Sequence, residues 1–353
     1  MRQIEIANPD TLYGVLSMFS SQKWTNKAIL NDSKIRDLIE HLSKRKLGNK
    51  DYPADLMGDA YEILLKKFAD DSKAQAGEFY TPRSVVRLLV HILDPQPGET
   101  VYDPACGSGG MLIEAIRYMH DDSLCCGSIF GQEKNVVNAA IAKMNLFLHG
   151  SSDFNVMQGD TLRDPKILQG GNIAKFDCVI ANPPFSLENW GATEWSSDKY
   201  KRNIYGTPSD SCGDYAWIQH MICSMSSGKG RMAVVMPQGI LFRGNQEAEI
   251  RKQLVESDLI EAVVTLGDKL FYGTGLSPCF LIIRRMKPAH HSGRILMIDG
   301  SKILTQKRAQ NILEENDIDR LYSLYQNYSD EEDYSRIVTL QEIRDKEYNL
   351  SPN

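Results

Sequence analysis

Asn182-Pro183-Pro184-Phe185 places an amide, two imino acids and an aromatic ring in four consecutive positions. The run follows Phe176-Asp177-Cys178-Val179-Ile180-Ala181, whose near-continuous apolar character predicts a buried parallel strand. Two prolines end such a strand, fix two φ angles and remove two backbone donors. Just past the strand end they leave the Asn182 carboxamide, carbonyl oxygens without local donors, and the Phe185 ring exposed. That set suits a planar substrate carrying an exocyclic amino group. The amide oxygen and a proline carbonyl accept its two hydrogens while the phenyl ring stacks on its face. Such an amine is a poor nucleophile because its lone pair is delocalised into the ring. Two acceptors aimed at its hydrogens favour a pyramidal nitrogen and stabilise the charge that develops during attack. Without further context, the same four residues can also be read as a proline-rich turn that merely ends a strand.

The context begins upstream. Thr100-Val101-Tyr102-Asp103 reads as a short strand running into Pro104-Ala105-Cys106-Gly107-Ser108-Gly109-Gly110, then into the apolar helix opening Met111-Leu112-Ile113-Glu114-Ala115-Ile116. Glycines at a strand-to-helix turn let a ligand approach the backbone at a crevice outside the carboxyl ends of the strands. A dinucleotide fingerprint needs a third glycine where Leu112 stands, and a phosphate-cradling loop needs Lys-Ser or Lys-Thr where Met111-Leu112 stands. Asp103 in the turn suits a cationic ligand end better than a pyrophosphate. The next strand, residues 128–132, ends at Glu133. This acid is placed either to accept from both hydroxyls of a ribose or to open the helix expected over residues 134–148 as a solvated charge. A third strand, residues 155–158, ends at Gly159-Asp160. Asp160 is placed either to accept from an adenine amine or to cap the following segment. Acids recurring at successive strand ends favour the ligand readings.

Taken in order, Gly77-Glu78-Phe79-Tyr80-Thr81-Pro82, Asp103 through Gly110, Gly131-Gln132-Glu133, Gly159-Asp160-Thr161-Leu162 and Asn182-Pro183-Pro184-Phe185 resemble the motifs of amino-group DNA methyltransferases. More narrowly, the chain is similar to the methylation subunits of type I restriction-modification systems over about residues 50–350. The similarity extends to residues 139–150, to Leu270-Phe271-Tyr272-Gly273-Thr274-Gly275 and to Tyr348-Asn349-Leu350-Ser351-Pro352. It implies a Rossmann-like S-adenosylmethionine-dependent methyltransferase sheet with an N-terminal helical domain. It also implies which residues hold the cofactor. Phe79, Tyr80, Thr81 and Pro82 would flank the methionine moiety of S-adenosylmethionine. Asp103 with Gly107, Ser108, Gly109 and Gly110 would hold its amino-acid end, Glu133 its ribose and Asp160 its adenine. Asn182, Pro183, Pro184 and Phe185 would hold a target adenine flipped from double-stranded DNA. The implied partners are a specificity subunit, a second methylation subunit and, in the full complex, a restriction subunit. Measured against that family, residues 1–76 are expected to be a shortened helical leader, and the helical tail that docks the specificity subunit is expected to be missing after Asn353.

Composition agrees. A chain of 353 residues that is 42% hydrophobic has core enough for one large domain and a smaller one. Seven cysteines without a C-x-x-C pair, with Cys106 and Cys178 in positions expected to be buried and Cys125-Cys126 adjacent, fit a reducing cytoplasm. No apolar stretch approaches the roughly 20 residues that span a bilayer, and seven scattered histidines show no metal-ligand spacing. The net charge of −6 is unusual for a self-sufficient DNA binder. Basic residues expected near the cleft are Arg83, Arg87, Lys199, Lys201, Arg202 and Arg243.

Three regions follow. Residues 1–76 are expected to be helical from the spacing of Ile35, Leu38, Ile39 and Leu42, and of Met57, Tyr61, Leu64, Leu65 and Phe68. Residues 77–300 alternate strands and helices, which predicts a mostly parallel sheet covered on both faces. Residues 301–353 are charged and expected to be helical over 308–325. Residues 190–215 form a long polar loop in which Trp195, Tyr200 and Tyr205 stand among charges. Either it closes over a flipped base or touches DNA, or it is a mobile surface insertion. The expected function is N6-methylation of DNA adenine. The alternatives are an amide or RNA-base methyltransferase sharing the same Asn-Pro-Pro-Phe geometry, and a truncated, non-catalytic assembly subunit.

Overall fold

The computed structural model describes residues 2–12, 14–16, 31–44, 58, 60–61, 63–64, 81–119, 127–271, 276–307 and 310–352. Nine strands form one sheet: β1 Val101–Asp103, β2 Ile129–Glu133, β3 Phe154–Gln158, β4 Cys178–Ala181, β5 Arg231–Pro237, β6 Ile260–Leu266, β7 Pro278–Arg284, β8 Arg294–Gly300 and β9 Ser335–Thr339. Their spatial order is β9-β8-β6-β7-β5-β4-β1-β2-β3. The half that carries the motifs, β5-β4-β1-β2-β3, is wholly parallel. Strand β7 inserts antiparallel between β5 and β6, and β9 pairs antiparallel with β8.

Strands β4, β5 and β6 are buried at every position, as continuous apolar runs must be when both faces of a sheet are covered. Their side chains alternate between two cores. Cys178, Ile180, Ala233 and Val235 join one cluster, and Val179, Ala181, Met232 and Val234 the other. Over the first face lie α2 (Arg83–Leu93), α3 (Gly110–Met119) and α7 (Glu315–Asn327). Over the second lie α5 (Asp214–Ser224) and α6 (Asn245–Glu256). Helix α2 buries Val85, Val86, Leu88, Leu89, Val90, Ile92 and Leu93, each contributing about 1.5–3 kcal/mol for the larger side chains. That burial holds its first turn, and Thr81 before it, against the sheet.

Several expectations are corrected. Helix α4 (Val136–Leu148) begins two residues later than its sequence pattern suggests, because Asn135 caps it by accepting from Val137 and Asn138 N–H. Glu133 therefore precedes the helix and does not open it. The segment after Gly300 is not purely helical: besides α7 and α8 (Leu340–Asp345) it supplies the edge strand β9. Residues 190–215 are not mainly exposed. Trp190 and Trp195 are buried, and Arg202 is 1% exposed beneath a short helix, Ala192–Trp195. In the leader, α1 (Asp32–Ser43) carries the first expected apolar spacing, with no buried residue. Met57, Leu65, Phe68, Arg308 and Cys125-Cys126 lie outside the described residues. Among those described, no helix is long and apolar enough to cross a membrane.

Candidate functional site

Strands β4, β1, β2 and β3 are consecutive and parallel, so Asn182, Asp103, Glu133 and Asp160 stand in one row at their carboxyl ends. Three inter-strand spacings make that row about 14 Å long, the length of an extended nucleoside joined to an amino acid.

The glycine turn after β1 is shaped for close approach. Gly107 and Gly109 adopt φ of +53° and +85°, conformations that disfavour any side chain. A Cβ at Gly107 or Gly110 would project into open space, a cradle that a ligand can fill. The turn is tethered from three directions. Glu133 Oε2 accepts from Gly107 N–H at 3.0 Å, Cys106 N–H donates to the Gln132 carbonyl at 3.0 Å, and Asn145 Nδ2 donates to the Ser108 carbonyl at 3.1 Å.

The acids differ in environment. Asp103 is 2% exposed and accepts from Ala105 N–H at 2.9 Å. Burial pushes its carboxyl up to about 8, with the Ala105 bond opposing and the Glu133 charge adding. Glu133 is also raised by burial, against the N–H groups of Asn135, Gly107 and Lys134. Asp160 pairs with Lys134 Nζ at 2.8 Å and accepts weakly from Arg163 N–H at 3.3 Å. It thus does the capping job open to it in sequence while remaining on the ligand row.

On the other side of the cleft, Pro183 is buried, Pro184 exposed and Phe185 half-buried against Phe271, with ring centroids 6.3 Å apart. Phe185 is therefore more sheltered than its place after a strand suggests. Asn182 donates from Nδ2 to Thr81 Oγ1 at 2.9 Å, while its buried Oδ1 has no partner among the described residues. Buried amide oxygens are nearly always paired. This orphan acceptor is what an incoming amino group requires, and together with the open glycine cradle and strand-end acids it fits an amine-bearing target beside a cationic nucleoside ligand. Phe79, Tyr80 and the Tyr272-Gly273-Thr274-Gly275 stretch lie outside the described residues; Thr81 and Pro82 are half-buried beside the cleft.

Of the basic residues expected near the cleft, Arg202 is corrected. Its guanidinium pairs with Asp198, donates to the Thr161 and Leu162 carbonyls and lies 4.4 Å from the Trp195 ring, so it is a packing element of the 190–215 segment and is not available to phosphate. Arg87 pairs with Glu315 and Arg243 with Asp214. Lys199 and Lys201 remain exposed. Two supporting residues escaped sequence reasoning. Gln132, fully buried, accepts from Lys166 N–H and donates to the Asp164 carbonyl, fixing the chain after β3. Asn145 supports the glycine turn, and its signal was an amide set in the apolar run Met144-Asn145-Leu146-Phe147-Leu148. Cys212, Asp214 and Glu247 bring their ligand atoms within 4.8 Å of one another, but the Arg243 guanidinium already occupies that space.

Comparison with known proteins places this geometry. The sequence model of the N-6 DNA Methylase family matches residues 52–353. The chain is 38% identical to the type I restriction enzyme MjaVII methylase subunit of Methanocaldococcus jannaschii, covering 90% of this chain and 55% of that protein. It is 31% identical to the HindI methylase subunit of Haemophilus influenzae, covering 98% of this chain and 75% of the relative. A solved type I restriction-modification methyltransferase subunit from Streptococcus thermophilus superposes with a TM-score of 0.82 at 29% identity, over 91% of this chain and 67% of that one. The chain thus spans little more than half the length of the archaeal relative.

Proposed function

The chain belongs to the N-6 DNA methylase family, among the methylase subunits of type I restriction enzymes, and on that premise we propose that it methylates adenine N6 in double-stranded DNA using S-adenosylmethionine. The observation that carries this reading is the buried, partnerless Asn182 Oδ1 at the end of β4, in line with the acids of β1, β2 and β3.

Bound S-adenosylmethionine supplies an electrophilic methyl group on a positively charged sulfur. Glu133 would accept from the ribose hydroxyls, Asp103 would face the cationic amino-acid end beside the glycine turn, and Asp160 would accept from the cofactor adenine. The target adenine leaves the duplex stack and lies against Phe185. Asn182 Oδ1 and the Pro183 carbonyl accept its two amino hydrogens, which localises the nitrogen lone pair toward the methyl group. Thr81, by taking Asn182 Nδ2, keeps the amide oxygen facing the target. Positioning supplies much of the rate, and the excess proton passes to water.

Sequence specificity is delegated. The net charge of −6, with Arg202, Arg87 and Arg243 already paired, leaves little to neutralise phosphates. A separate specificity subunit reads the site, flanked by two methylation subunits, with a restriction subunit joining the full complex. The decisive experiment incubates the full chain, with and without its specificity subunit, with duplex DNA and methyl-labelled cofactor, followed by nucleoside mass spectrometry. N6-methyladenine that depends on the specificity subunit is expected. Label on cytosine, RNA or protein would overturn the reading.

A further inference from the structure

Beside the Asn-Pro-Pro-Phe turn lies an ionic cluster in which Asp214 and Glu247 are buried and Arg243 is half-buried. Asp214, the first residue of α5, is fully buried. Its Oδ1 accepts from Ser186 N–H at 2.7 Å, and its Oδ2 takes the Arg243 guanidinium. Arg243 reaches Cys212 Sγ through Nη1 at 3.1 Å. Its Nε lies 3.0 Å from Glu247 Oε2 but out of line for a hydrogen bond, so that contact is ionic only. Arg251 in turn donates to the Arg243 carbonyl at 2.8 Å.

Ser186 has φ of +50°, a left-handed conformation that a residue with a side chain keeps only when its surroundings enforce it. The two prolines before it carry no N–H, so the turn has few backbone donors with which to anchor itself. The Ser186 N–H is the first one past Phe185, and it meets a charged acceptor, a stronger bond than a neutral one. Isolating a carboxylate from water is costly, and here the whole arrangement converges on a single backbone N–H of the proposed catalytic turn.

We propose that Asp214, paired with Arg243, is a positioning residue for that turn: it fixes the Ser186 N–H and thereby sets where the Pro183 carbonyl and the Phe185 ring meet the target base. It contacts neither base nor cofactor. The role rests on the functional reading above, and it separates two quantities that a general loss of folding would move together. Misplacing the turn by about 1 Å is enough to lower the rate roughly a hundredfold, while cofactor binding, on the other strand ends, is unaffected.

The test uses the full chain with its specificity subunit, with kcat measured on a duplex carrying adenine at the target position and base flipping on a second duplex carrying 2-aminopurine there. Wild type, Asp214→Ala and Asp214→Asn are compared for kcat, calorimetric S-adenosylmethionine affinity and the fluorescence rise of the flipped base. Asp214→Ala is expected to lose kcat about a hundredfold with unchanged cofactor affinity and a weakened fluorescence rise. Asp214→Asn, which keeps an acceptor for Ser186 but not the charge, is expected to fall between it and wild type. If the alanine variant does not fold, the asparagine variant decides. Reduced kcat with unchanged cofactor affinity supports the role, and unchanged kcat, or equal loss of both, overturns it. A wild-type complex that binds cofactor but never methylates adenine would overturn the functional reading itself, and this role with it.

Discussion

The two sides of the cleft differ in whether their polar groups already have partners. On the cofactor side every acid has a protein donor: Ala105 N–H for Asp103, Gly107 and Asn135 N–H for Glu133, Lys134 for Asp160. On the target side, Asn182 Oδ1 is buried and has none. A carboxylate offers about four acceptor sites, so a ligand adds bonds to the cofactor side without first breaking those that shape it. An unpaired buried amide oxygen costs about 1–3 kcal/mol, a penalty relieved only when an amino group arrives. On the proposed reading, the described acids of the cofactor side already have partners before a ligand arrives, while the target side is completed by the substrate.

The largest expected effect tests the target side. Asn182→Ala removes the orphan oxygen, and the rate of methyl transfer should fall by about 10²–10³-fold, the usual effect of deleting one preorganised polar group at a developing charge. Cofactor affinity should stay near wild type, and thermal stability should fall only by the lost Asn182–Thr81 hydrogen bond, about 1 kcal/mol. Single-turnover kinetics and calorimetry on the same preparation make the check. Parallel loss of rate and cofactor affinity would erase the distinction between the two sides. The converse variant, Glu133→Ala, should weaken S-adenosylmethionine by about ten- to a hundredfold, or roughly 1.5–3 kcal/mol. Its kcat at saturating cofactor should recover. A kcat that stays low at saturation would mean that the Gly107 tether shapes the target side as well.

How far this contrast could be read from sequence depends on the kind of contact. Strand ends, glycine turn and proline stop were legible because each is encoded by neighbours in the chain. The partners were not, because they come from elsewhere in the fold. Gly107 and Glu133 are 26 residues apart, and Asn182 and Thr81 are 101 apart. The 190–215 segment misled for a different reason. Aromatic residues among charges read as exposed, yet an arginine lying over an indole buries both, as Arg202 does on Trp195. Strand direction was also illegible: β7 is as apolar as its parallel neighbours, and only its register shows it running the other way. Asp214 opens an apolar helix, where an acid is expected simply from the helix dipole, so nothing local announces that it faces Ser186.

Thr81→Val sharpens the contrast with a moderate effect. Valine keeps the volume but leaves Asn182 Nδ2 without its acceptor, so the amide is free to rotate and present nitrogen to the target. The cost of the lost bond, about 1–1.5 kcal/mol, corresponds to roughly a tenfold loss in kcat. Thr81→Ser should restore most of the rate, because the hydroxyl returns. Cofactor affinity distinguishes the two sides again. If Thr81→Val weakens S-adenosylmethionine as much as it slows transfer, the threonine belongs to the cofactor pocket and the amide is oriented by something else.

The smallest expected effect moves a single proton. Asp103 is the most deeply buried acid of the strand-end row, and burial pushes its carboxyl up to about 8 against an ordinary value of 3.8. A raised folded-state value means that its contribution to stability is fully present below pH 3.8 and is lost as pH rises through about 8. At pH 7 the free protein therefore holds Asp103 mostly protonated. A cationic ligand end brought against it favours the ionised form, so binding must expel that proton. Calorimetric titration with S-adenosylmethionine at pH 7, in two buffers of different ionisation heat, should report release of close to one proton per site by the wild type. Asp103→Asn has nothing to release, and its count should fall toward zero even where binding is weaker. Proton release unchanged in Asp103→Asn would assign the proton to another group, Glu133 being the next acid raised by burial. No release from wild type would mean that the ligand's charge lies away from β1, and that Asp103 serves only the Ala105 turn.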